Sequence, residues 1–253
     1  MSTSPSVLPT LVGFAVAMIL LYLLSRRVSI EIQTVIYLIT RSLDMSTIGL
    51  FLVLLPGIFI HESAHWVMAR LLGLRTGKFR VWPKRQGRVI GMGQVTVEQG
   101  GVWLDSLVGM APLLVGSIIV ALIGRHIFGA HQLLAQAYEG NFSAAASVFT
   151  NAMRAADSAL WAYLLFAVAN AMMPSASDRE PLLPVLLYVG LAALTYLVLG
   201  LPLTPFSKAL DWLVPMIQDL TSGLLLTIVL DVVILALLSL LTLLFSPSKR
   251  QSR

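Results

Sequence analysis

The sequence predicts an all-α polytopic membrane protein with about six transmembrane helices and a membrane-associated β-hairpin. Of its 253 residues, 57% are hydrophobic and only 11% are charged, and the mean hydropathy is +0.87. Several apolar runs reach the ~20 residues that a helix needs to cross a bilayer, which a soluble core does not require. One stretch rich in Val, Ile and Thr interrupts this helical pattern and predicts the hairpin.

Six apolar segments are long enough to be membrane spans. They cover about residues 7–24, 46–72, 106–123, 158–174, 182–201 and 222–245. These spans divide the chain into three parts. Residues 1–45 hold an N-terminal span and an interfacial segment, residues 46–182 form a central core, and residues 183–253 hold two C-terminal spans and a basic tail. Residues 202–219 contain Pro202, Pro205 and Pro215 and are expected to form an interfacial segment that proline interrupts.

Between the second and third spans the pattern is typical of β-strands. Lys78–Trp82 and Arg88–Val97 are the two candidate strands, and residues 84–87 (Lys-Arg-Gln-Gly) supply a turn. The second strand is a candidate edge to which an extended peptide can be added; the alternative is a hairpin that only packs on the helices. The residues that would bind such a peptide are Val95, Thr96 and Val97.

The distribution of charge predicts the orientation. Seven Lys or Arg and one Glu lie between Arg70 and Glu98, and the tail is also basic. By the positive-inside rule, the hairpin and the C-terminus are cytoplasmic. Arg26 and Arg27 do not fit six complete spans, which would place them outside unless Val28–Thr40 makes a partial crossing. Because the basic residues flank membrane spans, we expect contacts with lipid and none with nucleic acid.

The sequence His61-Glu62-Ser63-Ala64-His65 (HExxH) lies within the apolar second span. Four residues are about one helical turn, so both imidazoles face one point and can hold a zinc ion. Glu62 then projects toward a metal-bound water as a general base for peptide hydrolysis. The alternative is a satisfied polar pair in a helix bundle. The chain has no cysteine, so the zinc ligands must be His, carboxylate or water, as in open catalytic sites.

A catalytic zinc usually takes three protein ligands, so a third must come from another helix at the same depth. Asp178 follows the fourth span and lies at a suitable depth; the alternative is a loop charge at a helix end. Asp231, near the middle of the sixth span, is a second candidate. A carboxylate there otherwise bonds to a neighbouring helix or lines a path for water or gating.

With these residues the chain resembles the site-2 protease family of intramembrane zinc metalloproteases. That family pairs an HExxH helix with a later segment in which Asp follows Asn by eight residues, with Pro between them. Asn170, Pro174 and Asp178 follow this pattern. The run Met110–Leu114 is similar to the family's Gly-Pro-containing helix, and the hairpin to its membrane-associated β element. The resemblance covers about residues 46–182.

Two neighbours of Asp178 depart from the family. Ser177 precedes it and Arg179 follows it, where the family usually has Leu and Gly. The resemblance implies that His61, His65 and Asp178 bind Zn²⁺. It also implies two catalytic residues: Glu62 transfers a proton from water to the leaving amine, and Asn170 either hydrogen-bonds near the substrate carbonyl or orients Asp178. A polar contact between packed helices is the alternative for Asn170.

The implied function is an intramembrane zinc endopeptidase that hydrolyses peptide bonds of membrane-embedded protein substrates near the cytoplasmic face. The expected partners are a transmembrane protein substrate and the lipid bilayer. A compact chain without a sorting signal suits a prokaryotic inner membrane. A multispan HExxH protease for lipidated peptides would need a further Glu ligand. The other alternative is a non-catalytic metal-binding membrane scaffold or transporter, although a transporter should distribute polar ligands across the bilayer.

Overall fold

The structure is a computed structural model that describes residues 7–86, 89–91, 94–202 and 204–245. These residues are mostly helical. In chain order the elements are α1 Val7–Thr40, α2 Leu43–Leu71, β1 Thr76–Arg80, β2 Lys84–Gln86, β3 Val89–Gly91, β4 Gln94–Val97, α3 Val102–His126, α4 Ala130–Tyr138, α5 Phe142–Met153, α6 Ser158–Ala171, α7 Ala176–Arg179, α8 Leu182–Val198 and α9 Thr204–Phe245.

The expectation of an all-α polytopic fold is confirmed at the level of its long apolar helices. Within the described ranges, five helical stretches are long and apolar enough to cross a membrane: α1, α2, α3, the stretch Ser177–Val198 that includes α8, and the part of α9 from Trp212 to Phe245. A sixth span results if α5 and α6, bent by 102° relative to each other, are counted as one broken span. Five to six such helices are consistent with a multi-pass membrane protein.

The first helix is longer than the sequence predicted. α1 continues to Thr40 instead of ending near residue 24, and its 34 residues extend about 51 Å, more than the ~30 Å of a hydrocarbon core. Glu31 of α1 accepts a hydrogen bond from Thr242 of α9 at 3.3 Å, while Pro9 and Gln218 line one cavity. The two helices therefore run side by side in the same direction.

This parallel pairing changes the predicted topology. Six strictly alternating spans would make the first and last helices antiparallel, so the chain is not a simple up-and-down bundle. Arg26 and Arg27 instead lie toward the end of α1 that packs beside the C-terminal end of α9.

The proline-containing segment at residues 202–219 does not interrupt the chain as expected. α9 begins at Thr204 and continues through Pro215 to Phe245. Pro205 lies in the first turn, where the N–H that proline lacks has no intrahelical partner. Pro215 removes one hydrogen bond from the helix interior, a loss that helices packed in a membrane tolerate. The prediction was wrong because it treated both prolines as breakers.

The expected hairpin is present as two antiparallel strand pairs. Phe79 in β1 pairs with Val95 in β4, and Arg85 in β2 pairs with Ile90 in β3. Residues 84–86, predicted as part of a turn, form strand β2 instead, and Gly87, the last residue of that predicted turn, lies outside the described residues. The hairpin packs against α2: the Phe79 ring contacts Phe59 edge-on, with the ring centroids 6.2 Å apart.

The buried core has two apolar clusters, and α6 contributes to both. Leu165 belongs to the cluster shared with α1, α3 and α9, and Phe166 to the cluster shared with α1 and α2. By contrast, α8 has no buried residue and meets α3 through the stacked rings of Trp103 and Tyr188. The C-terminal part of α6 is buried from Leu165 to Asn170, and the candidate site lies at this end of the helix.

Candidate metal centre

Three predicted ligands converge at one point. The Nε2 atoms of His61 and His65 lie 3.2 Å apart. Asp178 approaches both, with Oδ2 at 3.6 Å from His61 Nε2 and Oδ1 at 3.3 Å from His65 Nε2. This is the group of potential metal ligands found among the described residues. Asp231, the second candidate for the third ligand, is not part of it.

Each histidine ring is oriented by a backbone carbonyl. His61 Nδ1 lies 2.8 Å from the Ala171 oxygen, and His65 Nδ1 lies 2.9 Å from the Val108 oxygen. A carbonyl oxygen only accepts hydrogen bonds, so each Nδ1 carries the hydrogen. In the neutral rings both Nε2 atoms then present lone pairs to each other and to the Asp178 carboxylate. This second-sphere arrangement is the usual one for metal-binding histidines.

The spacing of these atoms fits a zinc ion. Tetrahedral zinc with bonds of 2.0–2.2 Å places its ligand atoms about 3.3–3.6 Å apart. The two Nε2 atoms lie 3.2 Å apart, and a different oxygen of Asp178 approaches each of them, at 3.6 and 3.3 Å. With one ligand atom from each residue, all separations are within 4.8 Å. A cation between these acceptors, either a metal ion or a proton on one imidazole, would offset their mutual repulsion. His61, His65 and Asp178 are therefore suited to hold zinc and to leave a fourth position open.

Two glycines let the helices that carry the ligands approach closely. A Cβ on Gly57, one turn before His61, would lie 2.7 Å from Ala171 Cβ and would overlap the Ala167 carbonyl. A Cβ on Gly109 would lie 2.5 Å from the Asp178 carbonyl oxygen. α2 thus meets α6, and α3 meets α7, backbone to backbone. The sequence analysis did not identify this close approach.

The Asp178 carboxylate is held by its own short turn. Ser175 caps α7: its Oγ accepts from the Asp178 N–H at 3.3 Å, and Asp178 Oδ2 accepts from the Ser175 N–H at 2.7 Å. Ser177 Oγ lies 2.8 Å from Ser175 Oγ, and Arg179 Nε donates to the Ser175 carbonyl at 3.3 Å. The residues that depart from the family pattern therefore build the turn that presents the carboxylate.

Glu62 is buried between the ligand helix and the hairpin. Glu62 is 8% exposed, and its carboxylate lies near the Val95 backbone of β4. It follows His61 directly in α2, so it lies beside the metal ligands without being one of them. A carboxylate in this place can accept a proton from a water that approaches the three ligands.

A cavity of about 520 Å³ opens beside the ligands. Val95 and Val97 of β4 line it, whereas Thr96 is not among the lining residues. Successive residues of a strand face opposite sides, and Thr96 faces Gly77 of β1. Of the three residues predicted to bind a peptide, two therefore border the site through their side chains. Three further carboxyl groups line the cavity, those of Glu98, Asp105 and Glu180.

Asn170 lies next to the site without a hydrogen bond to Asp178. Its Nδ2 donates to Asp231 Oδ1 at 2.9 Å and to the Phe166 carbonyl at 2.9 Å. No hydrogen bond therefore supports the expectation that Asn170 orients Asp178. The observed interaction of Asn170 is the contact between the packed helices α6 and α9. Asp231 likewise bonds to a neighbouring helix, as one of the interpretations of the sequence expected.

Comparisons with known proteins add no further assignment. No protein-family model matches the chain, and neither a curated protein nor a solved structure does.

Proposed function

We propose that the protein is an intramembrane zinc endopeptidase similar to the site-2 proteases, which hydrolyses peptide bonds of membrane-embedded protein substrates. The observation that carries the proposal is the convergence of His61, His65 and Asp178 with the Glu62 carboxylate beside them. Structural zinc sites are closed by four protein ligands, whereas catalytic sites keep one position open. Three ligands and a neighbouring carboxylate favour the catalytic kind of site.

Each residue of the site has its own role in the proposed hydrolysis. Zinc, when bound, polarises the scissile carbonyl and makes water a nucleophile at neutral pH. Glu62 accepts the proton of the attacking water and donates it to the leaving amine. The carbonyls of Ala171 and Val108 keep the two imidazoles in the tautomer that leaves Nε2 free for the metal. Ser175 keeps the Asp178 carboxylate turned toward them.

Strand β4 is the element that presents the substrate. A transmembrane helix hides its carbonyls in its own hydrogen bonds and must be locally extended before attack. β4 pairs with β1 on one side, and Val95 and Val97 border the cavity next to His65. An extended substrate segment added beside β4 would pass the ligands. The cavity also gives water access to a site among apolar helices.

The charge pattern supports a location of the site on the cytoplasmic side of a cell membrane. The basic hairpin segment follows the ligand helix directly, and positively charged loops stay in the cytoplasm. Because the ends of β1 and β4 adjoin α2 and α3, the hairpin and the metal ligands share one region of the fold. In this orientation the substrate would be cut near its cytoplasmic end.

The test of this proposal does not require a known substrate. Wild type and Glu62→Gln are expressed in a bacterial host, and new peptide termini are mapped in the membrane proteome, with and without the chelator 1,10-phenanthroline. We expect termini within transmembrane segments that appear with wild type and are absent with the variant and with the chelator. Identical termini for both proteins would rule out the protease and favour a non-catalytic metal-binding scaffold.

A further inference from the structure

A buried polar pair joins α6 to α9 next to the metal centre. Asn170 is 7% exposed and Asp231 is fully buried, and they share a hydrogen bond of 2.9 Å. Asp231 lies within a long apolar helix, where a carboxylate is costly and marks function more often than stability. The ligand set described above does not use it.

The pair is poorly designed for stability alone. Asn170 Oδ1 and Asp231 Oδ2 are buried, and neither has a hydrogen-bond partner among the described residues. Apolar residues of similar volume often stabilise such positions equally well or better. One turn earlier in α9, Thr227 is also fully buried, but it bonds only to the carbonyl of Gly223 in its own helix. Of these two buried polar residues of α9, Asp231 is therefore the one that is linked to α6.

The pair acts on the turn that orients His61. α6 ends at Ala171, so its last carbonyls have no partner within the helix. The Asn170 carbonyl accepts from Ser25 Oγ of α1 at 3.1 Å, and the Ala171 carbonyl accepts from His61 Nδ1 at 2.8 Å. Asp231 and Ser25 therefore hold the same residue from two sides, directly before the carbonyl that fixes the His61 ring.

We infer that Asp231 is a positioning residue for the metal centre. Through Asn170 it fixes the last turn of α6, and that turn sets the tautomer and the direction of the His61 ring. This inference rests on the proposed function, because it assumes that His61 binds a metal. It assigns α9 a role in the geometry of the metal site. The HExxH and Asp178 segments alone do not indicate that role.

The experiment measures metal binding and not proteolysis. The full chain is purified in detergent, its metal is removed, and it is titrated with Co²⁺ while the visible absorption reports the ligand geometry. Asp231→Leu removes the link, Asp231→Asn retains an oxygen that accepts from Asn170, and Thr227→Val is a matched change in the same helix. Outer-sphere partners of metal ligands typically change affinity by 10–100-fold, so we expect Asp231→Leu to weaken Co²⁺ binding about tenfold and to shift the spectrum.

The other variants decide what the loss means. We expect Asp231→Asn to bind within about threefold of wild type and Thr227→Val to match it. An Asp231→Leu protein with wild-type affinity and spectrum overturns the inference. If that variant does not fold, Asn170→Ala replaces it, because it removes the same hydrogen bond, and an unchanged affinity and spectrum again overturn the inference. Failure of wild type itself to bind Co²⁺ would refute the proposed metal site, a result distinct from all of these.

Discussion

Gly57 of α2 and Ala167 of α6 meet backbone to backbone, so that a Cβ on Gly57 would lie 2.6 Å from the Ala167 carbonyl carbon. This contact is one turn before His61 in α2 and one turn before Ala171 in α6. The two helices must approach this closely for the Ala171 carbonyl to accept from the His61 ring. The glycine is therefore part of the site although it carries no functional group.

Replacement of Gly57 by alanine should force α2 and α6 apart. The neighbouring atoms are mainly backbone and cannot move aside as a flexible side chain would. We expect a loss of about 1–3 kcal/mol of stability, the usual cost of overpacking, together with weaker zinc binding. Thermal unfolding in detergent and zinc titration measure the two effects.

Gly190→Ala is the matched control for that substitution. Gly190 lies in the apolar helix α8, and a Cβ there would have nothing within 4 Å. Alanine is the better helix former by about 1 kcal/mol, so this variant should be as stable as wild type or slightly more stable. If both glycine variants lose stability equally, close packing at Gly57 is not the cause.

A second glycine tests the position of the third ligand. Gly109→Ala places a Cβ 2.5 Å from the Asp178 carbonyl oxygen, so the α7 turn must shift away from α3. We expect zinc affinity to fall about tenfold, the scale seen when the support of a metal ligand is lost, while the helices remain folded. Isothermal titration with zinc, alongside circular dichroism, checks this result; unchanged affinity would show that α7 can move without displacing the carboxylate.

Much of the site could be predicted because it consists of local patterns. The spacing of His61 and His65 is a property of any helix, and Asp178 follows from the end of the fourth span. The carbonyl partners of both imidazoles could not be predicted, because backbone atoms leave no signal in a sequence. Gly57 and Gly109 are visible as glycines, but only the packed helices show which backbone each one meets.

Glu62→Gln should separate metal binding from catalysis. Glutamine has nearly the same shape as glutamate but cannot accept the proton, and Glu62 is not among the three converging ligands. We expect zinc content equal to wild type and cleavage reduced by about 10²–10⁴-fold, the range for loss of a general base. Metal analysis and cleavage rates of a substrate found by terminus mapping provide the two readouts. Cleavage at the wild-type rate would exclude Glu62 as the base.

Strand β4 offers a prediction about substrate access. Val97→Trp would fill part of the cavity next to the ligands, whereas Thr96→Val alters a side chain that is not in the cavity lining. We expect the tryptophan variant to cleave a membrane substrate at least about tenfold more slowly, since displaced substrate geometry is costly, with zinc retained. The Thr96 variant should cleave normally. Equal rates for all three proteins would place the substrate path elsewhere.

The helix boundaries were less predictable than the site. Hydropathy locates apolar runs, but α1 extends through Arg26 and Arg27 to Thr40, and Glu31 pairs with Arg27 at 3.2 Å within the helix. α9 likewise includes two prolines that a pattern treats as breaks. The direction of α1 relative to α9 depends on long-range packing, for which a count of spans has no information.

Zinc content of the purified protein tests the central claim most directly. Wild type and the variants His65→Ala, Asp178→Ala and Glu62→Gln are analysed side by side in detergent after exposure to zinc and removal of the excess. We expect about one zinc per chain for wild type and Glu62→Gln, and weakened binding for the two ligand variants. A wild-type protein that binds no zinc, or an Asp178→Ala protein that binds as tightly as wild type, would contradict the proposed zinc site.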